Sequence, residues 1–201
     1  MRYSLLVFFL IVSSLQLTAQ SQKHMRWASL SQDFLPMTLH FYDGTEISGK
    51  GKVKKIKDEL LFRANTEIGE ETYSLYEVKN LVAKVKNQTI SFIFAQPKGY
   101  RRPLLLQQLR SGKLNVYFME RGFSAGGMIE IPDKPSYFFI EKTSNERGNP
   151  VIPYPQIARR FKKNAVKYFE DCPALIEKIK SKEFKSKDVL MIADFYNSEC
   201  Q

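Results

Sequence analysis

From Met37 to about Ile140 apolar positions alternate with polar ones, or gather in short β-branched runs, with turn residues at intervals of about eight to twelve. This is strand periodicity. Met37–Tyr42 runs into Asp43-Gly44, a tight-turn pair, and 46–54 returns with Ile47 and Val53 set against the lysines, which predicts a hairpin. Further strands are predicted over 59–63, 71–75, 80–85, 88–94, 104–109, 114–119, 127–131 and 136–140. After Pro150-Val151-Ile152-Pro153-Tyr154-Pro155, whose prolines are expected to forbid regular pairing, the period becomes helical. Ile157, Phe161, Ala165 and Tyr168-Phe169 form one stripe. Asp171 is placed to cap a second helix with Pro173 in its first turn and Leu175, Ile176 and Ile179 inward; Ser186 is placed to cap a third carrying Val189, Ile192, Ala193 and Tyr196. The fold class expected is α+β: a β-rich small barrel or twisted antiparallel sheet, then three C-terminal helices.

The first nineteen residues break this pattern. Arg2, the apolar run Leu5 to Val12 and Leu17-Thr18-Ala19 before Gln20 have the form of a cleavable export signal, and the run is shorter than the roughly 18–20 residues that span a bilayer. No cysteine stands beside the junction to accept a lipid anchor. The expected organisation is a signal peptide over 1–19, a flexible mature start over 20–36, a β-rich domain over 37–150 and a helical segment over 151–201. Such a protein works in the periplasm, at the outer membrane or outside the cell.

Cys172 and Cys200 fit that address. They flank the second and third predicted helices, and the ends of an antiparallel helix pair are neighbours, so an oxidising compartment allows a disulfide; two buried free thiols are the alternative.

Two resemblances accompany these readings. The order of an apolar strand, Asp43-Gly44, Ile47-x-Gly49-x-Gly51-x-Val53, Leu60-Leu61-Phe62 and Tyr73 to Val78 leading into Leu81-Val82 resembles the small SH3-like or Sm-like barrels, in which a bent second strand uses glycine. The whole layout resembles a group of small exported proteins of Bacteroidetes-type bacteria, through Ala19-Gln20, Asp43-Gly44-x-x-Ile47-x-Gly49, the Leu104 to Tyr117 segment around Gly112, and the tail from Cys172-Pro173 to Tyr196-Asn197-x-x-Cys200. That second resemblance implies no chemistry.

Candidate chemistry is sparse within this frame. Gly122-Phe123-Ser124-Ala125-Gly126 matches a nucleophile elbow by letter, but a strand ending at Pro132 follows it and both histidines, His24 and His40, precede it. Gly44 to Gly51 comes within one residue of a phosphate-binding loop, yet Gly51 stands where Ser or Thr is needed and the segment lies in a hairpin. Two histidines and two cysteines far apart form no metal-ligand spacing, and His40 reads as a partly buried or surface side chain of a strand.

The formal charge is +10, from 31 basic and 21 acidic residues, which favours anionic partners. Lys50, Lys52 and Lys54 share one strand face and, with Lys55 and Lys57, form a candidate contact for anionic surfaces. Other basic groups are Arg101-Arg102 and Arg159 to Lys167. No aromatic residues interleave the hairpin lysines as nucleic-acid stacking would require, and export also disfavours nucleic acid. The expectation is a non-enzymatic exported envelope protein without a cofactor, binding or scaffolding an envelope protein or anionic surface. The alternatives are an enzyme or ligand carrier whose site no linear motif displays, and a salt-dependent binder acting through the lysine hairpin.

Overall fold

Strands form at the alternating segments within two residues of the expected bounds in the computed structural model, which describes residues 30–31, 33–54, 58–64, 69–85, 87–119, 137–143 and 150–200. They are β1 Leu35–Phe41, β2 Glu46–Lys54, β3 Glu59–Ala64, β4 Glu71–Ser74, β5 Val78–Val85, β6 Gln88–Ala95, β7 Leu104–Arg110, β8 Leu114–Phe118, β9 Phe138–Lys142 and β10 Ile152–Pro153. All pairings are antiparallel, in one sheet of order β10-β9-β8-β7-β6-β5-β1-β2-β3-β4. The strand expected over 127–131 lies outside the described residues. So does the elbow-like motif at Gly122–Gly126.

The sheet is open, with β4 and β10 at its edges, so of the two architectures expected the twisted sheet is the one present. It nevertheless curls. Phe41 of β1 and Tyr73 of β4, three strands apart in the order, bring their rings to 5.5 Å. Curling depends on β2, where a Cβ on Gly49 would fall 2.1 Å from the Arg63 carbonyl oxygen and one on Gly51 2.8 Å from Met37 Sδ. The glycines are there for space, because β1 and β3 crowd the same inner face.

Period-two alternation builds the cores. Met37, Leu39, Val53, Leu60, Phe62, Leu81, Phe92 and Leu105 pack into one cluster inside the curl. Leu30, from the stretch expected to be a flexible start, is fully buried there too. Farther along the sheet, Leu114, Val116 and Ile140 pack against the helices. The next residues on those strands, Leu106 beside Leu105 and Phe139 beside Ile140, point to the opposite face, where they join Tyr117, Met119 and Val151 in a third cluster.

The helical segment packs on the sheet, and its described residues hold four helices where three were expected: α1 Pro155–Ala158, α2 Phe161–Tyr168, α3 Pro173–Lys180 and α4 Val189–Glu199. The stripe read as one helix is broken at Arg160, whose left-handed backbone (φ 54°, ψ 47°) ends α1 and starts α2. Asn164 fixes the break by donating to the Gln156 carbonyl at 2.8 Å and to that of Arg159. The caps also differ. Cys172 stands at the N-cap of α3, because the Asp171 carboxylate is taken by Lys142 and Tyr196, and Asp188 rather than Ser186 precedes α4. Ile152–Pro153 pairs with β9 despite the proline, since a two-residue edge strand tolerates a missing N–H.

The Cys172–Cys200 disulfide is formed, joining the start of α3 to the end of α4. Three polar contacts then fix α4 to the β7–β8 hairpin. Asn197 accepts the Leu114 N–H at 2.7 Å and donates to its carbonyl at 3.0 Å, Lys113 donates to the Cys200 carbonyl at 2.6 Å, and Arg110 pairs with Asp194 at 2.5 Å. Asn197 fits because Gly112 has no side chain: a Cβ there would lie 2.6 Å from Asn197 Cγ.

Candidate functional site

The β1–β2 turn is set by Asp43 and Gly44. Gly44 takes φ 89°, and the Asp43 carboxylate accepts both the Thr45 N–H at 2.8 Å and its hydroxyl at 2.6 Å. Those two bonds, the hydroxyl first and the N–H second, hold the Asp43 carboxyl below its ordinary range, so it remains an anion at the surface. The other wall is the three-residue turn between β4 and β5, closed by Glu77 N–H to the Ser74 carbonyl at 3.1 Å and Val78 N–H to the Leu75 carbonyl at 3.3 Å. Leu75 donates to the Asp58 carbonyl at 2.9 Å, which ties this turn to the start of β3.

Between the two turns opens a groove of about 600 Å³. Its floor is apolar: Phe41, Ile47 and Tyr73, with Tyr73 also edge-on to Phe62 at 6.0 Å. Its rim holds Tyr42, Asp43, Thr45 and Glu77. Phe41 faces inward by alternation with Met37 and Leu39, and a register shift after His40, which leaves Lys79 of β5 without an opposite residue, sets Val78 across from it. Tyr42 is 66% exposed, an unusual position for a large aromatic ring beside an apolar floor. Both charged lining groups are acidic, although the chain as a whole is strongly basic. One side of the groove is β4, an edge strand that pairs only with β3 among the described residues.

Aromatic faces beside carboxylates favour cations, through the ring quadrupole and through direct charge pairing. An edge strand favours extended chain, since its outward N–H and C=O groups accept a further strand. Among the described residues no three metal-ligating side chains come together.

The other candidates fall as follows. Lys50, Lys52 and Lys54 do share the outer face of β2, with Gly51 and Val53 turned inward. That face is mixed in charge, for Lys54 lies 3.8 Å from Glu59, Arg63 opposite Lys50 is held by Glu70 at 3.1 Å, and His40 lies 3.2 Å from Glu46. Lys55 and Lys57 lie outside the described residues, as does His24. The near phosphate-binding loop at Gly44–Gly51 forms the turn and first half of β2 and opens no helix. A polar cluster of Tyr117, Glu141 and Asn115 resembles an acid–base group, but its members satisfy one another: Tyr117 donates to Glu141 at 2.6 Å and Asn115 to Glu141 at 3.1 Å. Burial, reinforced by the Glu141 carboxylate, pushes the Tyr117 hydroxyl far above its usual range, so it stays neutral.

One grouping escaped the sequence reading altogether. Lys142, 12% exposed, lies 2.7 Å from Asp171 and within 5.0–5.7 Å of the Tyr168, Phe169 and Tyr196 rings, while Tyr196 donates to Asp171 at 2.5 Å. It pins β9 to the helices beside the disulfide. Its signal in the sequence was faint: a lysine ending one strand, and tyrosines spaced by helical turns.

No family model matches the chain, and neither a curated protein nor a solved structure matches it. Function is therefore read from the groove. No helix among the described residues is long and apolar enough to cross a membrane.

Proposed function

We propose that this is an exported, non-enzymatic binding protein of the bacterial envelope, whose groove between the β1–β2 and β4–β5 turns holds an extended partner segment bearing a lysine or arginine. The observation that carries the reading is an exposed aromatic groove whose charged groups, Asp43 and Glu77, are both anionic, set beside the edge strand β4. Export is supported by the form of residues 1–19 and by the disulfide, which persists in oxidising compartments. An enzyme reading has less support: the one hydroxyl–carboxylate pair on the rim, Thr45 with Asp43, is closed within the turn, where the same carboxylate oxygen also accepts the Thr45 N–H.

The test is site-directed photocrosslinking in cells that export the protein, with a photoreactive phenylalanine analogue in place of Tyr42 and, as control, of Met191, which is 59% exposed on α4. The expected result is a discrete adduct from position 42, mapped by mass spectrometry to a segment containing Lys or Arg, and lost when Asp43→Asn and Glu77→Gln are added. The amide introduced by Asp43→Asn keeps an oxygen for the Thr45 bonds, so the turn survives the change. Equal labelling from position 191, or an adduct indifferent to the charge change, would overturn the reading.

A further inference from the structure

Residues 150–169 carry five cations, Arg159, Arg160, Lys162, Lys163 and Lys167, and no carboxylate. All five are exposed, and none forms an ion pair among the described residues. This differs from the outer face of β2, where carboxylates interleave. We infer that the α1–α2 turn and the exposed side of α2 form a docking face for phosphate-bearing headgroups of an anionic membrane surface.

Three observations converge on this face. Its five cations have no carboxylate partner among the described residues, so their fields add. Its cations occupy exposed positions of one turn and one short helix and line no cleft among the described residues, an arrangement that suits phosphates arrayed in a plane better than one polymer in a cleft. Its middle is a cation at a strained position: Arg160 occupies the left-handed region, where glycine or asparagine sits at ease, and the two Asn164 bonds hold it there. Nothing in the packing requires arginine at that position, because its side chain is exposed. The chain accepts the strain and keeps the charge in the middle of the patch. This site is separate from the groove, which lies at the β4 edge, whereas α1 follows directly from β10 at the other edge.

The experiment is co-sedimentation of the full mature chain with vesicles of phosphatidylcholine alone or with about a third phosphatidylglycerol, in low and high salt. Each basic side chain near an anionic bilayer strengthens binding about five-fold. Arg159→Gln, Arg160→Asn and Lys163→Gln together are therefore expected to weaken binding to the anionic vesicles by about a hundred-fold, and Lys50→Gln, Lys52→Gln and Lys54→Gln, which remove the same charge, by far less. Asparagine suits the left-handed backbone, so Arg160→Asn alone is expected to melt no lower than the parent while binding about five-fold more weakly. That separates loss of contact from loss of fold. Equal losses from the two triple variants would reduce the effect to net charge and overturn the assignment. So would failure to prefer the anionic vesicles, or binding to a soluble acidic polysaccharide such as alginate without binding to the vesicles.

Discussion

Reducing the Cys172–Cys200 bond isolates the contribution of a cross-link from that of the packing around it. The half-cystines are 28 residues apart, and opening a loop of that length in the denatured chain releases entropy equivalent to about 3.5 kcal/mol. Both sulfur-bearing residues are buried, and the Asn197, Lys113 and Asp194 contacts continue to hold α4 after reduction, so the folded state changes little. Nearly the whole effect then falls on the unfolded ensemble. At about 2–4 °C per kcal/mol for a chain of this size, reduction is expected to lower the melting temperature by about 7–14 °C. The assay is calorimetry on the mature protein with and without reductant, a two-hydrogen mass gain confirming the cleavage. Cys172→Ala with Cys200→Ala is expected to melt at or slightly below the reduced protein, because truncation also vacates core volume. A fully reduced protein melting within about 2 °C of the oxidised one would refute the reasoning, and would mean that the polar contacts of α4 already order this segment in the unfolded chain.

Gly49→Val is expected to destabilise the protein by about 3 kcal/mol or prevent folding, since its Cβ has no place to go; Gly44→Ala, in open space at φ 89°, is expected to cost only about 1 kcal/mol, both read from denaturant titrations. Asn197→Ala strands the Leu114 N–H and carbonyl and is expected to cost about 2–3 kcal/mol, with Asn197→Asp, which keeps the acceptor alone, falling between it and the parent. At Asp171 burial raises the carboxyl pKa, but hydrogen bonds from Lys142 and Tyr196 and the Lys142 charge outweigh it, so the carboxyl is held below its ordinary value. A lowered folded-state value means that this group stabilises the protein above the unfolded pKa and that the stabilisation disappears as pH falls through the folded one. Lys142→Met is accordingly expected to lower stability at neutral pH and to flatten its decline below about pH 4, measured as melting temperature against pH.

What could be read in the sequence was whatever depended on near neighbours. The bounds of β2 followed from Asp43-Gly44 and strict alternation, and Pro173 marked the first turn of α3 because a missing N–H is harmless there. The break at Arg160 was hidden because the apolar stripe keeps its spacing across it: Ile157 and Ala165 are both buried although they belong to different helices. Its cause is the Asn164 amide reaching back to α1, a contact that no periodicity reveals. Pro153 misled in the opposite sense, since a proline excludes a central strand but not an edge. The groove was the least legible part. Phe41 and Tyr73 meet only because the sheet curls, and the curl comes from the room left at Gly49 and Gly51. Tyr42 beside Asp43 was visible as a turn, while its opposition to Glu77 depends on the long-range pairing of β1 with β5, which sets Phe41 against Val78.

The two proposed contacts acquire mechanical meaning from the sheet they share. β7 sends Leu105 into the cluster behind the groove and Leu106 into the cluster on the opposite face, while β8 sends Leu114 and Val116 into the cluster under the helices. A displacement of the groove relative to α2 would therefore have to slide strands whose two faces are both buried, which close-packed interiors resist. On this reading a partner segment held at the β4 edge and a phosphate surface engaged by α2 are kept at a fixed spacing by one continuous sheet. Loss of either contact would leave the other intact, because no described ion pair or hydrogen bond joins the groove residues to the α1–α2 cations. A chain with Asp43→Asn and Glu77→Gln should still sediment with anionic vesicles, and a chain without the α1–α2 cations should still give its adduct from position 42. That independence marks a tether, in which two sites are joined by rigidity rather than by a conformational exchange between them.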